Sequence, residues 1–211
     1  MTSGNSTGTK RANHWRRIWS EKSPNHTSWY QKIPETSLGL IKNSGLTYED
    51  SIIDVGGGGS VLVDCLLEKG YQNVSVLDIA PEALEYTYAR LGQKADRVSW
   101  IVADIISWKP DKQYSLWHDR AVFHFLTNPN EQKAYGDTLR SALVYDGQAI
   151  VATFALDGPT KCSGLTVQRH DSSTLINALG GGFMVLETGV EHHVTPKKVV
   201  QQFTWCRLGA T

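Results

Sequence analysis

Charge of one sign is what this 211-residue chain lacks most plainly: 21 Lys and Arg residues balance 21 Asp and Glu, for a formal net charge of zero. With no basic field, a nucleic-acid partner is not expected. Long apolar runs are also missing. The longest, residues 149–156, is far short of the roughly 20 residues that span a bilayer, so no membrane association is expected. Cysteine is scarce, and Cys65, Cys162 and Cys206 are odd in number and widely spaced. That excludes a disulfide framework and suits a reducing compartment, the cytoplasm. The opening Met1–Lys10 is polar and has no apolar segment of the kind a secretory leader needs, so residues 1–12 read as a disordered tail. The length fits a single α/β domain with a full core.

What the chain does have is glycine concentrated in one place. Ile52-Ile53-Asp54-Val55 runs into Gly56-Gly57-Gly58-Gly59, and Ser60 leads out into Val61-Leu62-Val63-Asp64-Cys65-Leu66-Leu67. An apolar strand, a glycine turn and an amphipathic helix follow one another. Without a Cβ, such a turn lets a small ligand lie against bare N–H groups at the start of a helix. A tight turn with no ligand is the plainer alternative, although four consecutive glycines exceed what a turn requires. A dinucleotide fingerprint would need a third glycine where Val61 stands. Asp54, two residues before the first glycine, would repel a pyrophosphate and attract an ammonium group, which favours a zwitterionic ligand. The next apolar run, Val74–Ile79, contains Asp78 at the place from which a carboxylate grips a ribose diol. A third, Trp100–Ile105, contains Asp104.

Asp-x-Gly-x-Gly after one strand and an aspartate closing each of the next two resemble the class I S-adenosylmethionine-dependent methyltransferases, over residues 37–211. The resemblance implies that Gly56 and Gly58 floor the methionine part of the cofactor, with Asp54 near its amino group. Asp78 would hold the ribose hydroxyls, Ile79 would pack on the adenine face, and Asp104 with Ile105 would lie at the adenine edge. Residues 114–126 resemble the family's fourth strand and its turn, which implies Asp119 and Arg120 beside the methionine and methyl group. A local ion pair and helix cap is the alternative for these two. S-adenosylmethionine would be the cofactor and S-adenosylhomocysteine the product.

Periodicity predicts a helix within 35–43, then strand 51–55, helix 59–69, strand 73–78, helix 81–91, and strands 98–103 and 114–119. Helix 130–143, strand 148–155 and helix 171–179 follow, with late strands near 183–190 and 199–207. This alternation predicts a Rossmann-like, doubly wound α/β fold with a mostly parallel sheet. The resemblance implies seven strands, closed by a C-terminal antiparallel pair. Ahead of the domain, residues 13–36 hold Trp15, Trp19, Trp29 and Tyr30, interrupted by the turn-like Lys22-Ser23-Pro24-Asn25. They read as a lid segment whose aromatics need something to cover.

The loop of residues 155–170, after the fifth strand, is expected to overhang the crevice. Its Cys162 and Arg169, with Trp29 and Tyr30, are candidate substrate contacts; a packed cysteine and an arginine tying the loop down are the alternatives. Asp119, Tyr30 and His124 are candidate catalytic residues, His124 as a base or as a satisfied helix histidine. Glu191, His192 and His193 are neighbours in a strand and point to opposite faces, so no metal site is expected. Methyl transfer from a sulfonium is an in-line displacement that demands alignment and exclusion of water. It needs a base only when the acceptor carries a proton. The expected function is methylation of a small-molecule thiol, amine or oxygen acceptor by a monomer or homodimer. A protein lysine methyltransferase is one alternative, since Trp29-Tyr30-Gln31 and the fourth strand are similar to small enzymes of that kind. A non-catalytic cofactor-binding regulatory module is the other.

Overall fold

The computed structural model describes residues 4–21 and 24–211. The elements in chain order are α1 (Gly4–Glu21), α2 (Glu35–Asn43), β1 (Ser51–Val55), α3 (Leu62–Lys69), β2 (Asn73–Asp78), α4 (Pro81–Leu91), β3 (Val98–Val102), β4 (Tyr114–Arg120), α5 (Pro129–Ala142), β5 (Leu143–Phe154), β6 (Lys161–Cys162), β7 (Leu165–Thr166), α6 (Ser172–Leu179), β8 (Phe183–Val194) and β9 (Val200–Ala210). Seven strands form one sheet in the order β3-β2-β1-β4-β5-β9-β8. The first five are mutually parallel, and β9 and β8 close the sheet antiparallel. Strand order reverses between β1 and β4, which opens a crevice at the carboxyl ends of these strands. β6 and β7 pair as a separate small hairpin within the loop after β5.

Parallel strands covered on both faces read as nearly continuous apolar runs, and β1 and β2 are buried along almost their whole length. Parity then sorts the side chains. Ile53, Val55 and Trp117 face α5 and α6, where Tyr135, Leu139, Leu175 and Leu179 cover them. Ile52, Leu116 and Ile150 face the other way, under Leu40 and Ile41 of α2 and Leu62, Val63 and Leu66 of α3. Each large side chain buried this way contributes about 2 kcal/mol. In the register of β1 with β4, Asp54 lies opposite His118 and Val55 opposite Asp119. The first pair therefore turns toward α2, and Asp119 turns toward α5.

Residues 4–12, expected to belong to a disordered tail, lie in α1; residues 1–3 of that tail are outside the described residues, as are Lys22 and Ser23 of the expected lid turn. The reason for the helix is tertiary. Trp15 and Ile18 bury against Ala80 and Ala83, and Arg11 reaches Asp104 at 3.3 Å and Glu131 at 2.6 Å. A polar segment with little helical preference of its own is held by what it packs on. Among the described residues, no helix is long and apolar enough to cross a membrane.

Candidate functional site

A cleft lies over the carboxyl ends of β1 to β4. It runs from Asp78, Ile79, Asp104 and Ile105 past Gly56 to Arg120 and Ala121, under Trp15, Trp19 and Trp29. A second arm shares Trp19, Trp29, Val55, Gly56 and Arg120 and continues along Asp54, Gly57, Ser37 and His118. The two arms meet above Gly56.

Gly56 adopts φ +69°, and a Cβ there would collide with Val122, so only glycine fits the turn. At Gly59, a Cβ would overlap the Trp19 ring; the roof helix rests directly on the glycine loop. Asp78 accepts hydrogen bonds from the backbone N–H of Gly58 at 3.1 Å and of Ala80 at 2.9 Å. Burial pushes its carboxyl up to about 6, against the pull of those N–H groups. Gly58, expected as part of the floor, does not line either arm. Its N–H is spent on Asp78, and its missing Cβ makes room for Asp78 and Ala83. The Asp104 carboxylate accepts from Arg11 of the roof helix and from the Ile106 N–H, each at 3.3 Å.

Arg120 reaches both arms. Glu191 holds its guanidinium through two bonds, at 3.1 and 3.0 Å, above the Phe203 ring. Gln31 donates to the same carboxylate at 2.7 Å. His193, on the same face of β8 as Glu191, donates to the Ser28 carbonyl at 2.7 Å. Both residues thus tie the segment around Trp29 to the sheet. Ala121, next to Arg120, carries φ +79° without being glycine, a strained backbone at the cleft wall.

Three candidates face elsewhere. Asp119, expected to be catalytic and cofactor-binding, is fully buried on the α5 side of the sheet and lines neither arm. It accepts from the N–H groups of Val122 at 2.8 Å and Phe123 at 3.1 Å and from the Tyr135 hydroxyl at 2.5 Å. Burial pushes its carboxyl up to about 6. Of the alternative, a local ion pair and helix cap, the ion pair is not made, because Arg120 bonds Glu191 instead, and Asp119 holds the turn after β4 through that turn's N–H groups. His124 is fully buried between the Phe125 and Phe154 rings, and burial pushes it down to about 3. It is neutral near pH 7 and poorly suited to take a proton. Arg169 donates to the Gly158 carbonyl at 3.1 Å and ties the loop down. Tyr30 lines the second arm only, whereas Trp29 lines both and Cys162 the first.

The cleft also contains Arg11, Trp15, Trp19, Ser37 and His118, none of them singled out as site residues from sequence. His118 did carry a signal: a polar residue within the apolar Leu116-Trp117 stretch of a central strand needs a buried partner.

Residues 52–147 match the family model described as a methyltransferase domain. Malonyl-[acyl-carrier protein] O-methyltransferase 2 of Ilyobacter polytropus is 29% identical over 119 residues, which cover 54% of this chain and 44% of that protein. Thiocyanate methyltransferase 1 of Arabidopsis thaliana is 25% identical over 145 residues, 67% of this chain and 61% of that protein. The chain thus spans less than two thirds of either relative. Among solved structures, a SAM-dependent methyltransferase from Anabaena variabilis superposes with a TM-score of 0.75 at 13% identity, covering 97% of this chain and 95% of that one.

Proposed function

We propose that this chain, which carries a methyltransferase domain of the class I S-adenosylmethionine-dependent type, transfers the cofactor's methyl group to a small anionic acceptor. The residues fit the cofactor. Gly56 lines both arms of the cleft, Asp78 offers a carboxylate to the ribose hydroxyls, and Asp54 has a buried oxygen without a partner among the described residues. When bound, S-adenosylmethionine supplies an electrophilic methyl on a sulfonium; the chain's part is to align the acceptor and keep water out.

The observation that carries the choice of acceptor is the set of titratable groups on the main cleft. Among the described residues these are Arg11, Asp78, Asp104, Arg120 and Cys162. Asp78 is taken up by backbone N–H groups, Asp104 by Arg11 and Arg120 by Glu191, while Asp119 and His124 face away. The cleft that Arg120 lines is also walled by Trp15, Trp29, Phe125 and Ala121. An alcohol or ammonium acceptor needs a base there, whereas a thiolate, carboxylate or pseudohalide arrives deprotonated. The relatives named for malonyl and thiocyanate acceptors support an acceptor of this kind. The tryptophan roof argues against the lysine of a folded protein.

Assays with S-adenosylmethionine and a panel of thiols, carboxylates, amines, alcohols and lysine peptides test this. Turnover is expected with thiols or carboxylates; faster turnover with amines or lysine peptides would defeat the anionic reading.

A pH dependence follows from Asp78. Its folded carboxyl lies at about 6, above its ordinary 3.8, so it is the anion above that pH and takes up a proton below it. Ribose hydroxyls donate to the anion. Affinity for S-adenosylhomocysteine is therefore expected to be level at pH 7 and to fall by up to about tenfold per unit below pH 6, read by titration calorimetry between pH 5 and 7.

A further inference from the structure

We propose that His118 and Ser37 are positioning residues that aim Asp54 at the amino group of the cofactor's amino-acid portion. The inference rests on the methyltransferase reading above and adds two residues to it. Asp54 and His118 lie opposite each other in the parallel register of β1 and β4, so both side chains emerge on the α2 face. Asp54 Oδ1 meets His118 Nδ1 at 2.7 Å, and His118 Nε2 meets the Ser37 hydroxyl at 2.9 Å. All three are sequestered: Asp54 is 2% exposed, and His118 and Ser37 are each 4% exposed.

One tautomer satisfies both bonds: Nδ1–H donates to Asp54, and Nε2 accepts from the Ser37 hydroxyl. The imidazole is then locked at both ends, and with it the rotation of the Asp54 carboxylate. The consequence is at the other oxygen. Asp54 Oδ2 is buried with no hydrogen-bond partner among the described residues, and it takes the place that a Cβ of Gly57 would fill, so it lies directly against the glycine loop. All four residues line the second arm, which joins the nucleoside cleft at Gly56. A buried carboxylate oxygen left unpaired is destabilising, and an ammonium group, cationic and rich in N–H donors, is the chemistry that relieves it. The side chains follow the order of a hydrolytic triad, but the unpartnered atom is at the aspartate end, so the relay presents a carboxylate to the ligand.

The test compares two ligands by calorimetry: S-adenosylhomocysteine, and 5′-methylthioadenosine, which lacks the amino-acid portion. His118→Ala is expected to weaken S-adenosylhomocysteine by about tenfold or more and to change 5′-methylthioadenosine by less than about twofold. His118→Asn, whose amide nitrogen replaces the Nδ1 donor, is expected to recover most of the loss, and Ser37→Ala to lose less than His118→Ala. These two milder variants keep the comparison available should His118→Ala fold poorly. Equal weakening of both ligands, or an unchanged ratio in all three variants, overturns the positioning role while leaving the methyltransferase reading intact. Wild-type protein that binds neither nucleoside overturns both.

Discussion

Asp78→Ala is expected to abolish measurable binding of S-adenosylhomocysteine and of 5′-methylthioadenosine alike. That carboxylate has two tasks in one place. It accepts from Gly58 and Ala80 at 3.1 and 2.9 Å, which shapes the glycine loop, and it lines the cleft where a ribose would lie. Hydrogen bonds to a charged group contribute about 1.5–3 kcal/mol each. Two ribose hydroxyls then amount to about 10² to 10⁴ in Kd, before any loosening of the loop. Asp78→Asn keeps the shape and one acceptor oxygen and should fall between the two. Calorimetry on variants shown to be folded by circular dichroism checks this. A folded Asp78→Ala protein with wild-type affinity would mean that the ribose is held elsewhere and that the glycine loop serves another ligand. The His118 variants are expected to separate the two ligands; the Asp78 variant is expected to treat them the same.

Asp119→Ala should fail in another way, by melting early. The carboxylate is the acceptor for two backbone N–H groups and the Tyr135 hydroxyl, and Tyr135 in turn accepts from the Trp117 indole at 2.9 Å. Removing it leaves three buried donors without a partner, at about 1–3 kcal/mol apiece. A loss of about 3–5 kcal/mol is a large share of the 5–15 kcal/mol that holds a typical domain together. With about 2–4 °C per kcal/mol for a chain of this size, the midpoint should drop by roughly 10 °C. Tyr135→Phe removes one donor and should lower it by less. The observation that would restore a chemical role to Asp119 is a variant with the wild-type melting temperature, intact cofactor affinity and no turnover.

Much of the architecture was legible along the chain. The strand, glycine turn and helix of residues 51–69, the alternation that follows and the antiparallel closing pair are set by neighbours a few residues apart, where apolar period and glycine placement act directly. The same local rules brought Asp54, Gly56, Asp78, Ile79, Asp104 and Ile105 to the ends of adjacent strands, because each sits at or near the tip of its own strand. They failed in three places. Residues 4–12 look unable to order themselves and are helical because Trp15, Ile18 and Arg11 have partners about 60 to 120 positions away. Gly58 reads as floor and serves instead as the donor that shapes Asp78. Asp119 and His124 sit in the segment that the resemblance places beside the methyl group and still point away from the cleft.

The sequence by itself determined which segments form the seven-stranded sheet and that an acidic residue and glycines crowd the ends of the first strands; it missed the β6–β7 hairpin, and β5, β8 and β9 run several residues beyond the expected bounds. It also determined parity: Asp54 must share a face of its strand with Ile52, and Asp119 with Trp117. Which face meets the cleft, and which helix covers it, was decided only when β1 and β4 paired in register and α2 and α5 packed on opposite sides. Period-two alternation is a property of one strand and is written locally. The assignment of faces depends on contacts between segments far apart in the chain. Those contacts turned Asp54 and His118 toward Ser37 and committed Asp119 to the core.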